Sequence, residues 1–395
     1  MNLIATATIL TSGLVIAASS LHAAAVEPVD ILINRLVQKK VITEDDAADI
    51  RAEIATIKQE EDAKKKSFNA TGKTPVKIGG LVQGLYSHSD LNNTNDSFSA
   101  RRVRLIIQGD AAKKVDYYFQ TELAGSQRVV SSASYNGSTL TQSSANVEKP
   151  VVLDAYAGYK FAGTNRLNFG QQKIPFGYES LQSDWQLDFI NRSDTTETLA
   201  PGRDTRNSGR DVGLVYSGSR AFDDAATRTL DYSLGFLNGS GINVADDNDR
   251  KDYAARAVWK PGVTGLQLGV NYYNGCATAS NVKHNRQSVE LVYAPGPWAL
   301  RSEYLTGKDG NTEKDGYYVT YLHNTGPNTQ VALRYDHVDP SKQVASDTLE
   351  TWTLGWNWFL NKDGYTRLQL NWERKDNESL NDTYSNILAQ ITAGF

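Results

Sequence analysis

The sequence predicts an all-β chain: a transmembrane, antiparallel, up-and-down β-barrel of about 16 strands, preceded by a short helical hairpin. Three observations predict it. From Val76 onward, runs of roughly ten residues alternate polar and apolar side chains, the length a tilted strand needs to cross a bilayer. The connections between these runs alternate short and long. The two faces of each run differ, with aromatic and aliphatic residues on one and charged or amide residues on the other.

Composition bounds the alternatives. The 395 residues carry a formal charge of -4, which argues against a nucleic-acid partner, since such binding needs basic surface. Past the first two dozen residues no apolar run is long enough for a spanning helix. Residues 1–25 read as a signal peptide, with the apolar core Leu3 to Ala25 ending in small residues, although no basic residue precedes it. Cys276 is the only cysteine and has no partner for an internal disulfide.

Residues 26–70 have helical period and are expected to form a periplasmic helical or coiled-coil segment. Ile31, Leu32, Leu36 and Val37 share one face, and Thr43 opens a second helix with Asp46 three residues on, close to a capping box. Ile50, Ile54 and Ile57 continue it, and Lys64, Lys65 and Lys66 close it where the helix dipole favours cations.

Residues 71–395 are expected to form the barrel. Strands are predicted to begin near Val76, Ser99, Lys114, Val151, Asn165, Arg210, Arg228, Lys251, Thr264, Arg286, Pro297, Gly316, Asn328, Asp347, Gly364 and Thr383. Short connections such as 162–164, 261–263 and 325–327 hold the Gly, Pro and Asn that tight turns demand. Long ones fall between them at 90–98, 125–150, 174–209, 238–250, 275–285, 306–315, 339–346 and 375–382. Short turns at one end and long loops at the other are the architecture of an outer-membrane barrel.

The last hairpin shows the faces most clearly. Trp352, Leu354, Trp356 and Trp358 point one way, as do Leu368, Leu370 and Trp372, while Arg367, Gln369, Asn371 and Glu373 point the other. An apolar outside with a charged inside inverts a soluble barrel. Trp259, Tyr272, Trp298, Tyr304 and Tyr335 also fall on outward positions, where aromatic girdles belong. The chain stops on Phe395 after alternating apolar residues, which resembles the terminal signal read by the barrel-assembly machinery.

The connection 174–209 is the longest, yet it is rich in apolar residues: Phe176, Tyr178, Leu181, Trp185, Leu187, Phe189 and Ile190. A long connection of this composition needs something to pack against. It is therefore expected to fold inward and narrow a pore.

Four stretches, VDILINRLVQKKVITEDDAADIRAEI, SFSARRVRLIIQGDAAKKVDYYFQTEL, GQQKIPFGYE and APGRDTRNSGRDVGL, resemble the phosphate-selective porins O and P. The resemblance spans nearly the whole mature chain. It implies a homotrimer of sixteen-stranded barrels in the outer membrane of a Gram-negative bacterium, embedded in outer-membrane lipid. It also implies a third external loop folded inward, basic residues along the conduit, and phosphate or polyphosphate as the permeating anion.

Candidate anion-binding residues are Arg102, Arg104, Lys173, Arg192, Arg203, Arg206 and Arg210, with Arg256, Arg301, Arg334 and Arg367 as a looser lumen lining. The pleat places Arg102 and Arg104 on the lumen side and Arg101 toward lipid or the rim. Arginine suits an oxyanion because its planar fork donates two parallel hydrogen bonds and stays charged. Glu179, Asp184, Asp188, Asp194, Glu197, Asp204 and Asp211 are interleaved with the cations. That mixture leaves a second reading open, a general or other-substrate porin passing carboxylates or small neutral solutes, and local pairing of Arg203 with Asp204 and Arg210 with Asp211. A barrel enzyme is a third reading. The scattered His22, His88, His284, His323 and His337 form no triad, and neither a phosphate-cradling loop nor a metal-ligand spacing is present, so no cofactor or metal is expected.

Overall fold

The computed structural model describes residues 75–395 apart from 125–126, 137–138, 148–149, 247, 278–281 and 362–363, together with positions 36, 39, 43, 46, 47, 49 and 50. The chain divides into Met1–Val76 and Lys77–Phe395. In the first unit Thr43 and Asp46 cap each other: Thr43 N–H donates to Asp46 Oδ2 at 2.8 Å, and Asp46 N–H donates to Thr43 Oγ1 at 3.1 Å. The rest of the expected helical hairpin and the signal peptide lie outside the described residues.

Sixteen of the described strands close into one barrel. In chain order these are β1 (Val76–Ser89), β2 (Ser97–Ala112), β3 (Val115–Glu122), β6 (Val151–Lys160), β7 (Arg166–Lys173), β8 (Arg210–Ala221), β9 (Arg228–Leu237) and β10 (Asp252–Pro261). Then follow β11 (Leu266–Ala277), β12 (Val282–Tyr293), β13 (Trp298–Asp309), β14 (Thr312–Asn324), β15 (Thr329–Asp339), β16 (Leu349–Phe359), β17 (Arg367–Asn377) and β18 (Asp382–Gly394). Each lies beside its neighbour in sequence order. β1 meets β18 antiparallel, with Leu81 opposite Gly394 and Ser89 opposite Asn386. Closure leaves no open edge, which a membrane requires.

The seam extends to the last residue. Gly80 and Phe395 exchange backbone hydrogen bonds at 3.0 and 3.2 Å. A Cβ on Gly80 would lie 2.3 Å from the Phe395 ring, so only glycine lets the terminal aromatic lie across the first strand.

The two faces follow the period of two. Trp352, Leu354, Leu370, Trp372, Ile387 and Ile391 are exposed on the outside, while Thr353, Asn357, Gln369, Asn371, Glu373 and Gln390 are buried within. Observed strand starts stay close to the expected ones, with two informative departures. β12 and β14 begin four residues early, at Val282 and Thr312, so two connections expected to be long shrink to 278–281 and 310–311. Polar side chains at those ends hid the extension, because strand pairing continues by backbone alone. The connection 125–150 also holds its own hairpin, β4 (Gln127–Asn136) paired with β5 (Thr139–Val147). Its serine- and threonine-rich sequence has no sustained apolar face, and so no hydrophobic period announced it.

Candidate functional site: the loop inside the barrel

Residues 174–209 leave β7 and return at β8 after crossing the lumen, and their local sequence explains how they settle there. Ile174, Phe176, Leu199 and Ala200 pack with Val215, Leu237, Ala254, Tyr273, Leu305 and Val338 on the inner wall. Phe189 packs with Ala299, Leu322 and Ala332. The inner wall of β8 to β15 is therefore partly apolar, and the loop covers that part.

Two short helices stiffen the loop, and wall carboxylates cap both. At α1 (Tyr178–Leu181) the N–H groups of Tyr178 and Glu179 donate to Glu303 on β13 at 2.7 and 2.9 Å, and Gly177 N–H donates to Asn271 on β11 at 3.1 Å. Gly177 has φ 72°, a left-handed turn that starts the helix. At α2 (Asp194–Leu199) Ser193 Oγ accepts from Thr196 N–H at 3.0 Å. Asp336 on β15 accepts from the N–H of Asp194 and from Thr195 N–H and Oγ1, the last two at 3.2 and 2.5 Å. Negative groups belong at helix N-termini, where unpaired N–H groups point outward.

The far wall holds the middle of the loop. Asn371 accepts from Ile190 N–H at 2.7 Å, Arg367 donates to Leu187 O at 2.8 Å, and Asn357 donates to Asp188 O at 2.9 Å. Lys375 Nζ lies 2.7 Å from Asp194 Oδ2.

The candidate cations fall into this framework. Arg104 pairs with Glu122 on β3 at 2.8 Å and with Asp184 in the loop. Arg192 Nη1 lies 2.6 Å from Asp184 Oδ1, and Arg102 Nη2 lies 3.5 Å from the same oxygen. Burial alone would raise the Asp184 carboxyl, but Arg102, Arg104 and Arg192 hold it well below the usual carboxylate range. Lys173 Nζ donates to the carbonyls of Leu181 and Gln182 at 2.7 and 3.0 Å. Arg203 bonds Ser180 and Glu197, and Arg210 grips Asp154 on β6. Neither uses the carboxylate next to it in sequence: Asp204 is taken by Arg286 and His284, and Asp211 accepts from the N–H groups of Gly239 and Gly241.

Arg206 stands apart. It is exposed, with φ 60°, and its guanidinium has no partner among the described residues.

Of the looser lining, Arg256 pairs with Glu290 at 2.9 Å and Arg301 with Asp188. Arg334 reaches Glu179 at 3.3 Å and lies 4.6 Å over the Phe189 ring, and Arg367 holds the loop as described. Arg301, Arg334 and Arg367 thus anchor the loop, whereas Arg256 pairs within the wall, β10 to β12.

Several residues depart from the sequence reading. Arg101 was expected toward lipid or the rim, yet Nη2 donates to Asn191 Oδ1 of the loop at 2.6 Å, so it joins Arg102 at the lumen. His284 falls in the connection expected at 275–285; it lies instead on β12 and is buried, with Nδ1 2.8 Å from Asp309 and Nε2 3.1 Å from Asp204. Arg286, buried beside it, bonds Leu199 O at 2.9 Å, Asp204 at 2.8 Å and Asp309 at 2.7 Å. Taking Arg286 as a strand start hid its inward direction. Glu303 and Asp336 were missed because a carboxylate among wall residues reads as lumen polarity until the helix it caps is in place. Among the described residues no group of three or more His, Cys, Asp or Glu side chains is arranged to hold a metal ion.

A family model described as "Phosphate-selective porin O and P" matches residues 73–280 and 271–387. An uncharacterized protein of Aquifex aeolicus (strain VF5) is 24% identical over 401 residues, spanning 89% of this chain and 92% of that protein. Among solved structures, Salmonella typhi OmpF in complex with daunomycin superposes with a TM-score of 0.58 at 12% identity, covering 82% of this chain and 98% of that one. The outer membrane channel DcaP of Acinetobacter baumannii gives 0.53 at 13%, covering 82% and 99%. A loop-deletion form of Vibrio cholerae OmpT gives 0.56 at 12%, again covering 82% and 99%. At these identities the structural likeness is one of fold.

Proposed function

This chain belongs to the phosphate-selective porin O and P family and folds as an outer-membrane porin-like barrel, and from that premise we propose that it is a passive, anion-preferring diffusion channel for small oxyanions, phosphate being the first candidate. One observation carries the preference. The guanidiniums of Arg102, Arg104 and Arg192 converge on one carboxylate, Asp184, while Arg101 and Lys173 beside them are hydrogen-bonded only to neutral groups. The apolar side of the loop is seated on β8 to β15, and Arg101, Arg102, Tyr118 and Tyr156 on β2, β3 and β6 remain half-buried. A filter works by partly replacing an ion's hydration and releasing it again, and in a narrow passage the position of charge outranks its net count.

The same reading includes a Gram-negative outer membrane, a homotrimer, and delivery by the barrel-assembly machinery through Phe395. A trimer form of Vibrio cholerae OmpT has been solved, which supports that assembly. Residues 26–70 are then periplasmic and 1–25 a cleaved signal. The second reading, a general porin for carboxylates and small neutral solutes, draws on the pairing of Arg203, Arg210, Arg256 and Arg301 with carboxylates.

In a planar bilayer under a potassium chloride gradient, the zero-current potential is expected to take the anion sign, and added phosphate to reduce the chloride current. A cation sign, or no conductance, overturns the proposal. An anion sign without any effect of phosphate favours the general porin.

A further inference from the structure

Arg101 and Arg102 differ from the neighbouring cations in what holds them. Arg104, Arg203 and Arg210 each bond a carboxylate within 3.0 Å. Arg102 Nη1 instead donates to Gln83 Oε1 on β1 at 2.9 Å, while its carboxylate contact, to Asp184, is a loose 3.5 Å. Arg101 donates to Asn191 Oδ1 at 2.6 Å and to Gln390 Oε1 on β18 at 3.5 Å, both amides. Gln83 and Gln390 belong to a row of polar side chains along the inner wall. Asn357 on β16 donates to Asp188 O of the loop at 2.9 Å, and its own oxygen accepts from Gln369 on β17 at 2.9 Å. Gln369 in turn accepts from Gln390 at 3.1 Å, and Gln390 and Gln83 both donate to Thr392 Oγ1, at 3.3 and 3.2 Å. All five side chains of the row are buried.

The ends of the row fix its direction. A backbone carbonyl can only accept and a guanidinium can only donate, so Asp188 O at one end and the two arginines at the other turn every amide oxygen toward the arginine side. An amide oxygen gives a guanidinium an acceptor without giving it a counter-charge. We infer that Gln83 is a specificity-determining residue of the passage: through its neutral acceptor it fixes the direction of Arg102 and leaves the charge available to a passing anion. The Arg102 side chain keeps 17% of its surface exposed, whereas Gln83 is fully buried and held from behind by Thr392. Without Gln83, Nη1 loses its acceptor, and closing the 3.5 Å gap to Asp184 is the short move that pairs the charge.

The inference rests on the anion-channel reading. Zero-current potentials of the full-length wild type, Q83M, Q83E, R102M and Q83M/R102M are measured in planar bilayers under a potassium chloride gradient. Methionine matches glutamine in length but offers no comparable acceptor, so Q83M is expected to lower the anion-to-cation permeability ratio at least about twofold, as a partly screened charge pair does. Added to R102M it is expected to lower the ratio no further, since Gln83 acts through Arg102. Q83E keeps the shape and the acceptor but adds a counter-charge. There the ratio is expected to fall at least about fivefold, the effect of a unit charge at about 4 Å even in bulk water. A cation sign in the wild type overturns the channel reading and this inference together. With an anion sign in the wild type, a ratio in Q83M or Q83E equal to that of wild type overturns this inference alone. An equal loss from Q83M with and without Arg102 overturns it too, because Gln83 would then serve only the wall. Should Q83M not assemble, as heat-modifiable gel mobility reports, Q83E carries the test.

Discussion

Arg210 and Asp154 form a two-pronged pair, Nε to Oδ1 at 3.0 Å and Nη2 to Oδ2 at 2.8 Å, both side chains almost fully buried. The pair ties the first residue of β8 to β6 across β7, at the point where the loop rejoins the wall. Its parallel geometry is the strongest form of charge-assisted hydrogen bond. Removing one partner leaves the other charge buried and unpaired. D154A is expected to lower unfolding stability by about 3–5 kcal/mol, and the double variant D154A/R210A by less than the sum of its parts. Denaturant midpoints of the folded barrel check both, and additivity would show that the pair is not coupled.

Glu303 and Asp336 hold the two loop helices by their N-termini. E303A leaves the N–H groups of Tyr178 and Glu179 and the Tyr318 hydroxyl without an acceptor, and D336A does the same to Asp194 and Thr195. Each buried group left unsatisfied costs about 1–3 kcal/mol. The wall strands keep their own ladders, so the expected result is a loosened loop in an intact barrel. Single-channel recordings should show larger and noisier conductance, while the heat-modifiable gel mobility of the barrel persists. Unchanged noise in both variants would mean that the apolar seat alone positions the loop.

Arg203 and Arg206 are three residues apart and differ in kind. Arg203 is buried and bound to Ser180 and Glu197, whereas Arg206 is exposed and free of side-chain partners among the described residues. R206A is expected to change stability by no more than about 0.5 kcal/mol, as a surface substitution does, and to weaken anion preference slightly. R203A is expected to destabilise the loop and to raise current noise. Paired measurements of zero-current potential and thermal midpoint separate the two, and the reverse assignment of effects would refute the distinction.

The turn 222–227 between β8 and β9 is organised by Asp223. Its carboxylate accepts from Thr227 Oγ1 and N–H, both at 2.7 Å, and from Arg228 N–H at 3.0 Å. The Thr227 hydroxyl first, and then the backbone N–H groups and the Arg228 guanidinium, pull the Asp223 carboxyl down to about 2. A folded value below the unfolded one contributes stability above pH 3.8, lost as pH falls through about 2. D223N should remove that part of the acid dependence between those values while leaving stability at neutral pH only slightly lower. Melting curves at stepped pH measure it, and identical acid profiles for variant and wild type would count against the assignment.

The barrel was legible in the sequence because its determinants are local. A period of two puts tryptophan and leucine outside and asparagine and glutamine inside, and turn residues need only their own neighbours. Even the inward loop announced itself, through apolar residues such as Phe176 and Phe189 that no exposed connection would carry. Hairpin β4–β5 escaped because serine and threonine build a ladder without an apolar face.

What the arginines do was decided by tertiary structure alone. Asp154 lies 56 residues from Arg210, Asp184 lies 80 from Arg104, and Asp336 lies 142 from Asp194. Such partners meet only after the barrel has closed and the loop has docked, so no spacing along the chain encodes them. The sequence by itself determined that a charged lumen would face an inward loop. Only the folded chain decided that most of those cations would be spent on carboxylates, since a buried charge needs a counter-charge and takes the nearest one in space.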